Sequence, residues 1–402
     1  MNYTLRPYQK EAVAKMFESL DFKHSKDIVS LPTGAGKSLV IADFVSELNL
    51  PTIILQPSRE ILAQNRDKLA TYVDKEDIGV YSASFNSKEI KKFTFATIQS
   101  VFKKAYLFQN FPIVIIDEVH LFTKEGMFDK FLSSLKDVKV YGLTATPFRN
   151  VTEEDTDFRN REIEIKTYLK MLTQVGFNNI IYSISTKELQ DAGYLCQLEY
   201  MTKHAYHTDF RAKNETQLRN SFERNFIGEM ELQLTFNFNQ KLEPVLYGFP
   251  DYKSIIIFCT SVRIAELLSL KVSNVKTACL SGKTPKKERK QIIDDFKSGK
   301  IKAIFNVGVL TTGFDHPELD LIVLARPTKS LIFYNQMLGR GLRNAPGKEK
   351  CTIIDLTGTV SRLGKLRDIK VGRDANFEWN VFTKQYPDGM RDEQISYYLH
   401  EY

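Results

Sequence analysis

The sequence predicts two tandem α/β domains, each built on a parallel sheet flanked by helices. Three observations carry this expectation. Short, fully apolar runs alternate with amphipathic stretches over the first 150 residues, as strands do when crossover helices bury both faces of a sheet. The same alternation returns after residue 250. One apolar run also ends in a glycine-rich segment, Pro32-Thr33-Gly34-Ala35-Gly36-Lys37-Ser38, that opens a helical pattern. A chain of 402 residues suits two domains at about 100–200 residues each.

The elements follow in order. Arg6-Pro7-Tyr8 opens a helix, with proline near its first turn and Val13, Met16, Phe17 and Leu20 spaced for one buried face. Strand candidates are Ile28–Leu31, Thr52–Leu55, Phe93–Thr97, Ile113–Asp117 and Lys139–Leu143, with helical patterns at Leu39–Leu48 and Glu60–Tyr72. Val151–Arg161 is rich in charge and, with the residues to 165, reads as an exposed connection. From there to Glu243 aromatics and charges mix without a clear period. The second half offers strands at Ser254–Cys259, Thr277–Leu280, Ala303–Val307, Leu321–Leu324 and Thr352–Asp355, with helices at Val262–Leu270, Lys286–Phe296 and Ser330–Leu338. The expected division is a first domain over 1–200, a linker or helical connection over 201–245 and a second domain over 246–402. No short-period repeat is visible.

Composition narrows the class. A net charge of +7 fits a polyanionic partner such as nucleic acid without demanding one. Cys196, Cys259, Cys279 and Cys351 are far apart and form no C-x-x-C pair. No zinc module or disulfide framework is expected, and the compartment reads as reducing. Cys259 and Cys279 fall in apolar strands and read as core. His204 and His207 have HxxH spacing but no evident third ligand. The start MNYTLRPYQK lacks the apolar core of a secretory signal, and no stretch approaches the ~18 apolar residues of a membrane span. A cytoplasmic protein of bacterial or viral origin, monomeric and without a membrane, is expected. Lys283–Lys290 reads as a solvated helix start, with a nucleic-acid track as the alternative. Trp379, Tyr397, Tyr398 and Tyr402 read as packing residues.

Two segments carry chemistry. In the glycine-rich loop, Gly34 and Gly36 let the backbone curl so that its N–H groups face phosphate oxygens. The following helix adds its positive end. Lys37 is placed for the β- and γ-phosphates of a nucleotide and Ser38 for Mg²⁺. Leu31 stands where the general pattern of such loops has its first glycine. The apolar run Ile113–Ile116 ends in Asp117-Glu118-Val119-His120. Ligands in such sheets sit beyond the carboxyl ends of strands. Asp117 is therefore a candidate Mg²⁺ ligand, and Glu118 is a candidate base that orients and deprotonates the attacking water.

Together these blocks resemble motifs I and II of the DEAD/DEAH-box helicases of superfamily 2. Others follow in chain order: LRPYQ (Leu5–Gln9) resembles the glutamine motif, QPSREILAQ (Gln56–Gln64) motif Ia, TIQS (Thr97–Ser100) motif Ib and GLTATPFR (Gly142–Arg149) motif III. In the second half IIIFCTS (Ile255–Ser261), VGVLTTGFDHP (Val307–Pro317) and QMLGRGLR (Gln336–Arg343) resemble motifs IV, V and VI. Within the superfamily the later motifs and IIDLTGTVSRLG (Ile353–Gly364) look most like the RadD-like and XPB-like DNA helicases, and type III restriction translocases share many of them.

The resemblance implies two RecA-like domains that use ATP and Mg²⁺. It makes Gln9 the adenine reader, with Arg6 and Tyr8 beside it. Arg340 and Arg343 look like arginine fingers for the γ-phosphate, on an i, i+4, i+7 spacing with Gln336 that shares one side if the helix continues. Gly313 and Asp315 resemble the motif V pair near the nucleotide, with Asp315 toward a ribose hydroxyl. Ser58, Arg59, Thr97, Gln99, Ser261, Thr311 and Thr312 are candidates for the nucleic-acid backbone, with loop capping as the plain alternative for each. Thr144 and Thr146 resemble the motif that links hydrolysis to movement. The implied activity is that of a DNA helicase or translocase in repair, recombination or replication, with DNA favoured over RNA. The alternatives are an RNA helicase, the motor subunit of a restriction system, and a nucleotide-gated binding module without turnover.

Overall fold

The computed structural model describes residues 3–21, 24–157, 162–202, 215–231, 248–310, 313–373 and 379–383. The chain divides into two compact units: Met1–Val151 with Leu169–Ser185 and Val371–Asn380, and Thr152–Tyr168 with Thr186–Lys370 and Val381–Tyr402.

The first unit contains β1 (Lys26–Ser30), β2 (Thr52–Gln56), β3 (Ile78–Ser82), β4 (Ser87–Lys88), β5 (Phe93–Thr97), β6 (Ile113–Asp117) and β7 (Lys139–Thr144). After β7, β8 (Phe148–Asp157) and β9 (Glu162–Met171) pair with each other, and β10 (Asn179–Ser183) returns to the main sheet. Among the described residues that sheet has eight strands in the order β10-β1-β7-β6-β2-β5-β3-β4. Every pairing is parallel except β3 with β4. The central strands β2, β5, β6 and β7 are buried throughout, which is why they consist of runs such as IVII rather than alternating residues.

The helices α1 (Pro7–Glu18), α2 (Lys37–Leu48) and α3 (Arg59–Leu69) pack around this sheet. Phe44 of α2 meets Phe17 of α1 at 4.9 Å and Tyr141 of β7 at 5.1 Å, ring centre to ring centre. That stack fixes α1 to the sheet through α2. Because the strands are parallel, β1, β2, β5 and β6 all end on one edge, where a site can form.

The second unit holds β11 (Gln197–Met201), β12 (Ile255–Cys259), β13 (Thr277–Ser281), β14 (Ala303–Val307), β15 (Leu321–Ala325) and β16 (Lys350–Asp355), in the order β11-β16-β15-β12-β14-β13 and parallel throughout. Ile264 and Leu268 of helix Val262–Lys271 close one face over Ile255, Ile257, Phe305 and Val323. Cys259 lies in this core and Cys279 is half-buried against it. β17 (Lys370–Arg373) and β18 (Trp379–Phe382) pair separately.

Apart from Thr152–Tyr168 and Val371–Asn380, the chain passes from the first unit to the second at Ser185, and β11 joins β16 of the second sheet. Within the segment read as a connection, 151–157 belong to β8 and 162–165 to β9; the alternation Glu162-Ile163-Glu164-Ile165 is the strand signal that its charge concealed. Within 201–245, expected as a linker or helical connection, lies helix Glu215–Glu231. The rest of that connection beyond residue 202, with His204, His207, Tyr397, Tyr398 and Tyr402, lies outside the described residues. Among the described residues no helix is long and apolar enough to cross a membrane.

Candidate nucleotide site and nucleic-acid interface

In the first unit β1 leads into the loop 31–36, anchored where Leu31 N donates to Thr144 O at 2.9 Å. Gly34 and Gly36 lie at φ +86° and +80°, a left-handed conformation open chiefly to glycine. Gly36 caps α2, so Lys37 and Ser38 are the first residues of that helix. Its first N–H groups have no partner within the helix and face any ligand at that end. Pro32 and Ala35 are buried, and Thr33, Gly34, Gly36, Lys37 and Ser38 are half-buried.

The glutamine segment braces this loop. Tyr8 OH and Gln9 Nε2 both donate to Ala35 O at 2.8 Å. Gln9 Oε1 accepts from Arg6 N at 2.9 Å, and Arg6 Nη1 reaches Tyr8 OH at 3.5 Å. Gln9 is 2% exposed, and its amide gives one bond to the loop and takes one from the start of α1. A Cβ at residue 36 would lie 2.5 Å from Gln9 Nε2 and would displace that amide.

β6 delivers the acidic pair to the same edge. Lys37 Nζ stands 3.8 Å from Glu118 Oε1. Asp117 is buried, with Oδ1 accepting from Glu118 N at 2.9 Å and Oδ2 from Asn65 Nδ2 at 2.8 Å. Burial, and then the charge of Glu118, push the Asp117 carboxyl up to about 6; Lys37 and Asn65 act in the opposite direction. Two carboxylates so placed leave the site rich in negative charge, which suits a cation. Glu118 itself adopts φ +54°. Its Oε2 lies 3.2 Å from His120 Nδ1, which is 3.0 Å from Thr144 Oγ1. Thr144 Oγ1 in turn accepts from Thr146 N at 3.0 Å. A continuous polar path therefore joins Lys37, Glu118, His120, Thr144 and Thr146.

The backbone-binding candidates divide. Ser58 and Ser261 occupy matching places after β2 and β12, where each hydroxyl caps a helix by accepting from Ile61 N at 3.3 Å and Ile264 N at 3.4 Å. Arg59 Nη1 donates to Ser84 O, and its guanidinium lies 4.5 Å over the Phe85 ring. Thr97 Oγ1 bonds Ser82 Oγ at 3.1 Å and Ser100 Oγ at 2.9 Å, and Ser82 Oγ bonds Ser84 Oγ at 2.9 Å. Gln99 is exposed beside them. Thr311 and Thr312 lie outside the described residues.

In the second unit the arginine spacing does not run along a helix. The helix is Leu331–Leu338, so half-buried Gln336 sits on its last turn while Arg340 and Arg343 lie in the loop beyond. Gly339 ends the helix, and the two arginines converge on a carbonyl instead. Arg340 Nη1 donates to Phe314 O at 2.6 Å and Arg343 Nη1 to the same oxygen at 3.4 Å. Arg343 also pairs with Asp315, so that carboxylate, expected to face a ribose, holds an arginine here. Gly313, at φ +72°, begins this short segment. Burial lowers the Arg343 pKa to about 10, so it stays charged at neutral pH.

Sequence reasoning missed Asn65, Ser82, Ser84 and Ser100. Asn65 carried a signal: it is a polar residue in the buried stripe of α3 otherwise made of Ile61, Leu62 and Leu69.

Residues 2–149 match the family described as "Type III restriction enzyme, res subunit", and residues 240–345 match the "Helicase conserved C-terminal domain". The chain is 27% identical over 391 residues to a protein of Saccharomyces cerevisiae named as a candidate ATP-dependent helicase, IRC3, covering 89% of this chain and 52% of that one. It is 27% identical over 389 residues to the DNA 3'-5' translocase XPB2 of Sulfurisphaera tokodaii, covering 90% of this chain and 84% of that one. Among solved structures, the ATP-dependent type ISP restriction-modification enzyme LlaBIII bound to DNA superposes with a TM-score of 0.63 at 15% identity, over 89% of this chain and 28% of the other. The chain thus spans about half the length of the first of these relatives.

Proposed function

We propose that the chain is a superfamily 2 helicase, similar to the XPB-like members, and that it hydrolyses ATP to move along or unwind DNA. The observation that carries this is the approach of Lys37 to Glu118, 3.8 Å apart, beside the buried Asp117 at the carboxyl edge of a parallel sheet. Lys37 and the N–H groups at the start of α2 bind the β- and γ-phosphates. Ser38 and Asp117 would hold Mg²⁺, which would neutralise charge on the phosphates. Glu118 accepts the proton of the attacking water at its carboxylate. Arg340 and Arg343 supply positive charge to the transferring phosphoryl group. Gln9 and Tyr8 hold the loop in its binding shape, and Gln9 reads the adenine edge with its remaining capacity.

Coupling to nucleic acid follows from the same elements. Ser58, Arg59, Thr97 and Gln99 in the first unit and Ser261, Thr311 and Thr312 in the second grip backbone phosphates without reading bases. The path from Glu118 through His120 to Thr144 and Thr146 joins the hydrolytic base to the strand β7. The protein works as a cytoplasmic monomer, in repair, recombination or replication.

The test is turnover measured side by side with single-stranded DNA, branched DNA and RNA, together with strand displacement. DNA-stimulated hydrolysis is expected. Stimulation by RNA alone would make it an RNA helicase, and no turnover under any condition would reduce it to a binding module. A second reading, the motor subunit of a restriction system, is favoured by the family matched over residues 2–149. It predicts stable association with a nuclease subunit.

A further inference from the structure

Lys348 reaches the arginine loop through a turn that its sequence dictates. Lys348 N donates to Ala345 O at 3.1 Å, closing Ala345-Pro346-Gly347-Lys348 into a β-turn. Gly347 sits at φ +72°, and proline second with glycine third suits a type II turn. The turn folds Lys348 back onto residues 341–343. Its Nζ donates to Arg343 O at 2.7 Å, Gly341 O at 2.9 Å and Pro317 O at 3.0 Å. An ammonium has three N–H donors, and main-chain carbonyls take all of them. A solvated lysine would not be so saturated; this one is half-buried, and burial draws its pKa below the usual value.

The carbonyl between those two is also taken, since Cys196 N donates to Leu342 O at 2.7 Å. Asn344 Nδ2 adds a bond to Gly193 O at 2.9 Å. Three consecutive carbonyls, 341 to 343, are thus tied down. The side chains of Arg340 and Arg343 make a separate link to Phe314 O and Asp315. That link uses Nη1 of each guanidinium, whose fork carries other N–H donors that suit a phosphate. The Lys348 Nζ bonds fall on main-chain carbonyls alone, so they tie residues 341 and 343 to Pro317 whatever the Arg343 side chain contacts.

We propose that Lys348 is a positioning residue that fixes the main chain of the arginine loop, so that Arg340 and Arg343 meet the transferring phosphoryl group in register. The proposal rests on the arginine-finger role given above. It is tested in the full chain with Lys348→Met, Lys348→Arg, Arg343→Ala and the double variant Lys348→Met/Arg343→Ala. Lys348→Met is expected to lower kcat by about 10²-fold, the scale of a small misplacement of a catalytic group, with KM for ATP and the unfolding temperature nearly unchanged. Lys348→Arg, which still donates to carbonyls, should recover much of the loss. In the Arg343→Ala background Lys348→Met should cost clearly less than it does in the wild type, because only Arg340 is then left to position. An unchanged kcat in Lys348→Met overturns the proposal. So does an equal fold-loss in both backgrounds, or a KM and melting temperature that fall together with kcat. If Lys348→Met does not fold, Gly347→Ala, strained at its positive φ, should show the same loss confined to kcat, and wild-type turnover there overturns the proposal. Wild-type turnover in Arg343→Ala would instead remove the arginine-finger role itself, whereas a slow Arg343→Ala beside a fast Lys348→Met removes only Lys348.

Discussion

Glu118 sits between two partners, Lys37 at 3.8 Å and His120 at 3.2 Å, and this placement makes its chemistry separable from binding. Glu118→Gln keeps the shape but replaces the carboxylate with an amide that takes up the water's proton poorly. The variant should bind nucleotide at near wild-type affinity and turn over very slowly, which nucleotide titration and a single-turnover assay would check; near-normal turnover removes Glu118 as the base. Asn65 is a second residue-scale case. It donates to the buried carboxylate of Asp117 at 2.8 Å. Asn65→Ala leaves that oxygen short of a donor in a buried site, at a cost of about 1–3 kcal/mol. A lower unfolding temperature and weaker metal-dependent nucleotide binding are expected; an unshifted melting curve would show the bond contributes nothing. Lys37, Asp117 and Glu118 were legible because their motifs are contiguous in sequence. Asn65, Ser82, Ser84 and Ser100 were not, because their roles arise only when separate strand ends meet at one edge.

Most strands buried on both faces could be read from the sequence, but β3, buried throughout, was missed, while β13, at a sheet edge, was found. β5, β6 and β14 fall at their expected bounds because a strand covered on both sides must be apolar throughout. β10 and β11 were missed. Both lie at sheet edges with exposed ends and half-buried centres, so they show no apolar run. The arginine spacing misled for a related reason: Gln336, Arg340 and Arg343 fit a helical face, but the helix stops at Leu338 and the loop sets their positions. At the junction of α1, the phosphate loop and α2, Gly36 meets two demands, a φ of +80° and the 2.5 Å approach of Gln9 Nε2 to any Cβ. Gly36→Ala should therefore cost about 1–2 kcal/mol for the left-handed backbone alone and displace Gln9 as well. A fluorescent nucleotide should bind more weakly to it, and wild-type affinity would mean that the loop does not need the brace.

At the scale of the whole molecule, the two units carry different parts of the proposed reaction. The phosphate loop and the acidic pair belong to the first unit, and Arg340 and Arg343 to the second. The first unit can bind phosphate with its own groups: the N–H groups of the loop, Lys37 and the carboxylate ligand of the metal. Among the described residues, the arginine loop of the second unit offers guanidinium charge, held by Phe314 O and Asp315. Binding and turnover should therefore fail separately. Lys37→Ala should weaken nucleotide binding itself, because the lysine neutralises ground-state phosphate charge. Arg343→Ala should leave binding close to wild type and slow turnover by roughly 10³–10⁵-fold, the range for a lost arginine finger. Nucleotide affinity by titration and kcat by a steady-state assay, measured on both variants, distinguish the cases. Loss of binding in Arg343→Ala equal to that in Lys37→Ala would place the arginine in ground-state recognition and end its role as a group that acts on the developing charge.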